Sequence, residues 1–139
     1  MKFDIEINNQ EKCSLAKKYF DDVASKTIKL SRIKFSGKIS ISLAIVSERE
    51  IKRINRIYRK KNKVTDILSF SEYPQKKEKD IFCELIVCLA YVKKSSEIDK
   101  ISLKKEMAYV VSHGILHCIG FGHSKKMYEI QDEVCKKYR

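Results

Sequence analysis

All three histidines of this 139-residue chain lie in one short stretch, His113-Gly114-Ile115-Leu116-His117-Cys118-Ile119-Gly120-Phe121-Gly122-His123. If residues 103 to 119 are helical, His113 and His117 stand four apart on one face, one turn above the other, where two neutral imidazoles can share one metal ion. Gly120 then stops the helix, and the short Phe121-Gly122 link turns the chain so that His123 brings a third nitrogen from another direction. The result is a three-nitrogen site with an open fourth position. That fits a catalytic metal better than a structural one, since structural zinc usually takes four protein ligands, most of them thiolates. One histidine on an apolar helix is ordinarily a satisfied core residue, and an i, i+4 pair arises by chance; it is the third, at this spacing, that makes a ligand set.

The pattern H-x-x-x-H-x-x-G-x-x-H is the ligand frame of the metzincin proteases. The position after the first histidine, where such a protease carries its general-base Glu, is here Gly114. The frame is kept and the base is gone. A metzincin-like metalloprotease lacking the usual Glu stands as an alternative reading.

The elements that must position these residues are legible from periodicity. Phe3, Ile5 and Ile7 alternate with Asp4 and Glu6 as a half-buried strand over about residues 2 to 7. Leu15, Ala16, Tyr19, Phe20, Val23, Ala24 and Ile28 form the stripe of a helix from Glu11 to about Leu30. After a turn at Gly37, Ile39, Ile41, Leu43 and Ile45 alternate as a second strand. Ser47-Glu48-Arg49-Glu50 is a capping box opening a helix to about Tyr58, with Ile51, Ile54 and Ile57 or Tyr58 inward and a basic outer face. Lys60 to Lys63 is a basic loop, and Val64 to Phe70 is a strand or its approach. Tyr73 to Asp80, with the only proline, reads as a mobile loop. Ile81 to Leu89 is a nearly continuous apolar run, a central strand, followed by a short helix over about Ala90 to Glu97. Ser102 caps the histidine helix, whose ridge of Leu103, Met107, Val111, Ile115 and Ile119 packs on the sheet while the histidine face looks into a cleft. A last helix, about Lys125 to Lys137, docks through Met127, Ile130 and Val134.

One domain spanning 1–139 is expected, since 43% apolar residues suffice for a single core. Net charge is +12, from 30 Lys+Arg against 18 Asp+Glu, which favours a polyanionic partner through counterion release, although Lys-rich composition also arises from genome bias. The cysteines (Cys13, Cys83, Cys88, Cys118, Cys135) are odd in number and form no C-x-x-C pair. They read as reduced, buried residues of a cytoplasmic protein, and Cys118 is not expected to be a ligand. No apolar run approaches the length of a membrane span, and the N-terminus lacks the apolar core of a signal peptide.

From about Ile51 onward the chain resembles the bacterial YbeY endoribonucleases, rRNA maturation factors. Three stretches carry the resemblance: Ile54-Asn55-Arg56-Ile57-Tyr58-Arg59 with its basic loop, Thr65-Asp66-Ile67-Leu68-Ser69-Phe70, and the histidine stretch. The resemblance implies a single α+β domain with a mixed four-stranded sheet packed with helices, the metal-binding helix lining a cleft. It implies one divalent metal, usually taken as zinc, held by His113, His117 and His123, with Arg59 and His113 as the catalytic set. It further implies single-strand-specific, metal-dependent cleavage of RNA in rRNA maturation at the 16S rRNA 3′ end and in ribosome quality control, with ribosomal proteins or the ribosome as partners. Arg56, Arg59, Lys60, Lys61 and Lys63 would contact the nucleic acid. A ribosome assembly factor without catalysis is a third reading.

Physical chemistry is compatible with this. A metal with an open position can polarise a phosphoryl oxygen or acidify a bound water. Arg59 would hold phosphate bidentately and stabilise charge in the transition state, or else it is a solvated surface arginine. Asp66 is either an outer partner for an imidazole or a turn and cap residue. Glu84 is either paired to a cation or faces the cleft. Lys76, Lys77 and Lys79, with the lysines at 60 to 63, are diffuse electrostatic contacts. Two departures from the family pattern stand out: Gly122 where the family usually has Asp, and Cys83-Glu84-Leu85 where it has a Gly-Asp-Ile-like stretch.

Overall fold

Period-two alternation at the N-terminus and over residues 39–46 becomes a pair of adjacent parallel strands in the computed structural model, which describes residues 2–71 and 80–139. These are β1 (Phe3–Asn9) and β2 (Ile39–Val46), in register Ile5 to Ile41. The apolar run becomes β4 (Ile81–Cys88), parallel to β2, and β3 (Ile67–Ser71) lies antiparallel along its other side. The sheet order is β1-β2-β4-β3. β4 is thus internal, as its continuous hydrophobicity requires.

Alternation divides the sheet into two faces. On one, Ile5, Ile41, Leu43, Cys83, Leu85 and Val87 join the main core with α1 (Lys17–Ser31), α4 (Leu103–Cys118) and α5 (Lys125–Cys135). On the other, α2 (Glu48–Arg59) lays Ile51 and Ile54 over Val46, Leu68, Ile86 and Cys88. α2 covers only part of that face. The remainder carries Asp4, Glu6, Ser40, Ser42, Phe82 and Glu84 and borders a cavity of about 1020 Å³. α3 (Leu89–Asp99) joins β4 to α4.

Two caps match the sequence directly. Ser47 Oγ accepts from the Glu50 N–H at 3.1 Å and Ser102 Oγ from the Lys105 N–H at 3.1 Å, contacts worth about 1 kcal/mol each. The ridge of α4 is buried as expected, with Met107, Val111 and Ile115 at 0% exposure.

Three expectations need correction. The first helix starts at Lys17, not Glu11, because the Asn9 side chain captures the intervening backbone: its Oδ1 accepts from the N–H of Glu11 and of Cys13, and its Nδ2 donates to the Cys13 carbonyl. Such a side-chain turn competes with a helical start. In α2 neither Ile57 (49% exposed) nor Tyr58 (68%) faces inward; Asn55 (2%) does. Third, the cysteines are not all free. Cys83 of β4 and Cys118 at the end of α4 form a disulfide, with Cα atoms 5.7 Å apart, while Cys13, Cys88 and Cys135 are buried thiols. The bridge forms because Cys83 points to the face on which α4 lies, a juxtaposition that a separation of 35 residues hides. Asp80, the last residue of the expected loop, directly precedes β4, and its carboxylate accepts from the Lys38 backbone N–H at 2.8 Å. The rest of the expected mobile loop, with Lys76, Lys77 and Lys79, lies outside the described residues. Among the described residues no helix is long and apolar enough to cross a membrane.

Candidate metal centre

The end of α4 is built to deliver the third histidine. Gly120 has φ 100°, its N–H donates to the His117 carbonyl at 3.1 Å, and the Phe121 N–H donates to the Leu116 carbonyl at 2.9 Å. This is a Schellman termination, which needs a residue free to adopt positive φ. It reverses the chain over the last turn and brings His123 back beside the helix, its ring centroid 4.8 Å from that of His117 and 5.3 Å from that of His113.

One nitrogen or other ligand atom from each of His113, His117 and His123 lies within 4.8 Å of the others, and the Nε2 atoms of His113 and His117 are 3.0 Å apart. The far side of each ring has a partner: His117 Nδ1 lies 3.0 Å from the Phe121 carbonyl, His113 Nδ1 3.3 Å from Gln131 Oε1, and His123 Nδ1 3.1 Å from the Tyr128 hydroxyl. A carbonyl oxygen only accepts, so His117 Nδ1 carries the hydrogen and its Nε2, in the neutral ring, offers a lone pair. Burial lowers the His113 pKa, opposed by the Gln131 contact and helped by the neighbouring His117 and His123. The lowered pKa favours the neutral form of His113, the form in which an imidazole ligates. The donor set fits a divalent ion of zinc's kind, which the three imidazoles would hold.

Gly114 supplies no carboxylate where a metzincin protease carries its general base. A Cβ there would stand 2.7 Å from Ile67 Cδ1, 2.9 Å from Leu85 Cδ2 and 3.3 Å from Ser69 Oγ. The residue after His113 is packed against β3 and β4, and a side chain there would require the terminal methyls of Ile67 and Leu85 to shift. Gly122 is the opposite case: a Cβ there meets nothing within 4 Å. Gly122→Asp is expected to be accommodated and to tighten metal retention in a chelator challenge by about tenfold, the low end for ligand-supporting groups, because His123 already has Tyr128. Equal retention in the two proteins would show that the glycine costs the site nothing.

The basic loop shares a cavity with the triad. A cavity of about 590 Å³ is lined by the three histidines together with Arg59, Lys61, Lys63, Asn55 and Asp66. Arg59 is exposed but not free-swinging: its Nη2 donates to the Ser69 carbonyl at 2.6 Å and its guanidinium lies 4.8 Å over the Phe70 ring. It lines both this cavity and the open sheet face. Asn55 shapes the loop from beneath, donating from Nδ2 to the Lys63 carbonyl at 3.0 Å and accepting the Lys61 N–H on its own carbonyl at 3.2 Å. Arg56 and Lys60 are exposed residues at the end of α2 and do not line the cavity.

Of the two carboxylates, neither bonds to an imidazole. Asp66 Oδ1 accepts from the Ile67 N–H at 2.7 Å, a turn role, although the residue lines the cavity and its charge reaches His113. Glu84 is placed on the open sheet face, opposite Phe70 in register, away from the triad. Alternation explains this: Cys83 and Leu85 face α4, so Glu84 faces away. Asn55, Tyr128 and Gln131 were missed from sequence. The available signal was polarity at core positions, Asn55 beside Ile54 and Gln131 beside Ile130.

A sequence model of the family described as Endoribonuclease YbeY matches residues 5–139. A Persephonella marina protein named endoribonuclease YbeY is 31% identical over 134 residues, spanning 91% of this chain and 86% of that one. Its Thermotoga maritima namesake is 35% identical over 108 residues, spanning 73% and 67%. The solution structure of the Thermotoga maritima protein TM1509 superposes with a TM-score of 0.66 at 27% identity, covering 96% of this chain and 88% of that one. With its mixed four-stranded sheet, its three converging histidines and these matches over nearly its whole length, the chain belongs to the YbeY family of endoribonucleases, hydrolases acting on RNA.

Proposed function

We propose that this protein is a single-strand-specific, metal-dependent endoribonuclease of the cytoplasm, acting in maturation of the 16S rRNA 3′ end and in ribosome quality control, with one zinc ion as cofactor. The observation that carries the reading is a shared cavity, lined by the three imidazoles and by Arg59, Lys61 and Lys63. A divalent ion on the triad would supply Lewis acidity toward a phosphoryl oxygen. The chain's own groups do the rest. Arg59, with one N–H committed to Ser69, keeps its other donors for the phosphate and is preorganised by Phe70. Lys61 and Lys63 draw the polyanion in, and Arg56 and Lys60 extend the positive rim.

A cavity between a helix and a loop admits one unpaired strand more readily than a duplex. A fluorescently labelled RNA is therefore expected to be cut when unpaired, to be spared when annealed to its complement, and to bind with log K falling against log[salt]. Equal cutting of duplex and single strand would remove the specificity from the proposal. A single 2′-deoxy residue at the cut site separates two nucleophiles, since cutting that persists excludes the neighbouring 2′-OH.

A further inference from the structure

The sequence reads α5 only as a docking helix, through Met127, Ile130 and Val134, yet the same buried face holds an amide. Gln131 is 0% exposed. A buried amide is costly unless each of its polar ends is bonded. Here Nε2 donates to the Tyr109 carbonyl at 3.1 Å and Oε1 lies 3.3 Å from His113 Nδ1. The side chain thus spans one turn of α4, from Tyr109 to His113.

The amide can sit only one way round. The Tyr109 carbonyl accepts and cannot donate, so the NH₂ end must face it; the flipped amide would set two oxygens against each other. Oε1 is then left facing the imidazole, and it too only accepts. The ring nitrogen that meets it must carry a hydrogen. In a neutral imidazole that leaves Nε2 bare, 3.0 Å from the equally bare Nε2 of His117. Two lone pairs so placed repel until a cation lies between them. Tyr128 on His123 differs, because a hydroxyl can donate or accept and dictates no tautomer.

We propose that Gln131 is the positioning residue of the metal centre: it fixes His113 as the Nδ1–H tautomer and keeps the His113 Nε2 lone pair aimed at the ion. This rests on the three-histidine metal reading and is independent of RNA cleavage. Gln131→Met preserves length and removes both polar atoms, and the wild-type spectrum stands beside it as an independent measurement. Two readouts apply to the full chain: imidazole ¹⁵N spectra of the histidine-labelled, metal-free protein, and the Zn²⁺ dissociation constant by competition with a chromophoric chelator, with circular dichroism to confirm folding.

The wild type is expected to show His113 as Nδ1–H. Gln131→Met is expected to show mixed tautomers and zinc binding weakened about 10 to 100-fold. An Nε2–H ring in the wild type overturns the proposal, as does a folded Gln131→Met with unchanged tautomer and affinity. If Gln131→Met does not fold, the wild-type spectrum decides the matter. A wild-type chain that takes no zinc sinks the metal centre itself and with it the role of Gln131 toward the ion, whatever the tautomer.

Discussion

A His117→Ala chain is expected to leave chelator-free purification without metal and to melt somewhat below the chelator-treated wild type. His117 is the central ligand by geometry, its Nε2 3.0 Å from that of His113 and its ring close to both other rings. Removing it leaves two nitrogens where a catalytic zinc needs three. Because the ion binds only the folded chain, its loss removes about 2.7 kcal/mol of stability at free metal a hundredfold above Kd. For a domain of this size that lowers Tm by roughly 10 °C. The alanine also removes the bond to the Phe121 carbonyl, worth about 1 kcal/mol, which sets the variant slightly below the stripped wild type. Elemental analysis and melting curves with and without chelator read the result. A variant that keeps one metal per chain, or whose Tm still falls on chelation, would place the ion somewhere other than the triad.

Arg59→Glu is expected to abolish RNA cutting, by about a hundredfold to a thousandfold or more, while leaving metal content and folding in place. The side chain is anchored by the Ser69 carbonyl and the Phe70 ring at the edge of the triad's cavity, and it touches no histidine. Reversing its charge sets a carboxylate where the scissile phosphate would come. Arg59→Lys is expected to fall between, since it keeps the charge and loses the planar fork. Cleavage rates on unpaired RNA, beside zinc content and circular dichroism, separate a lost catalytic contact from a lost fold. Full activity in the glutamate variant would return Arg59 to an ordinary surface arginine. Wild-type protein that binds RNA and cuts none under any metal condition would favour the assembly-factor reading.

What the sequence by itself determined is what local geometry dictates. The i, i+4 placement of His113 and His117 follows from helical pitch alone, and the return of His123 follows from one glycine able to take φ 100°. The serine caps and the alternation of β1 and β2 are equally short-range, and they come out as read. Even the failed start of α1 turns on a local competition, in which the Asn9 amide outbid the helical stripe for the backbone of residues 11 to 13.

Tertiary structure decided which distant groups meet. Gln131 reaches His113 across 18 positions, and Cys83 meets Cys118 across 35, because α4 lies against α5 on one side and the sheet on the other. No period or spacing encodes those encounters; they follow from which faces pack and in what register. The same packing sets Gly114 close against the side chains of Ile67 and Leu85 and turns Glu84 toward the opposite side of the sheet from the triad. A ligand set can be read from spacing because one helix carries most of it, whereas the groups that orient those ligands arrive from another element and become visible only when the two are docked.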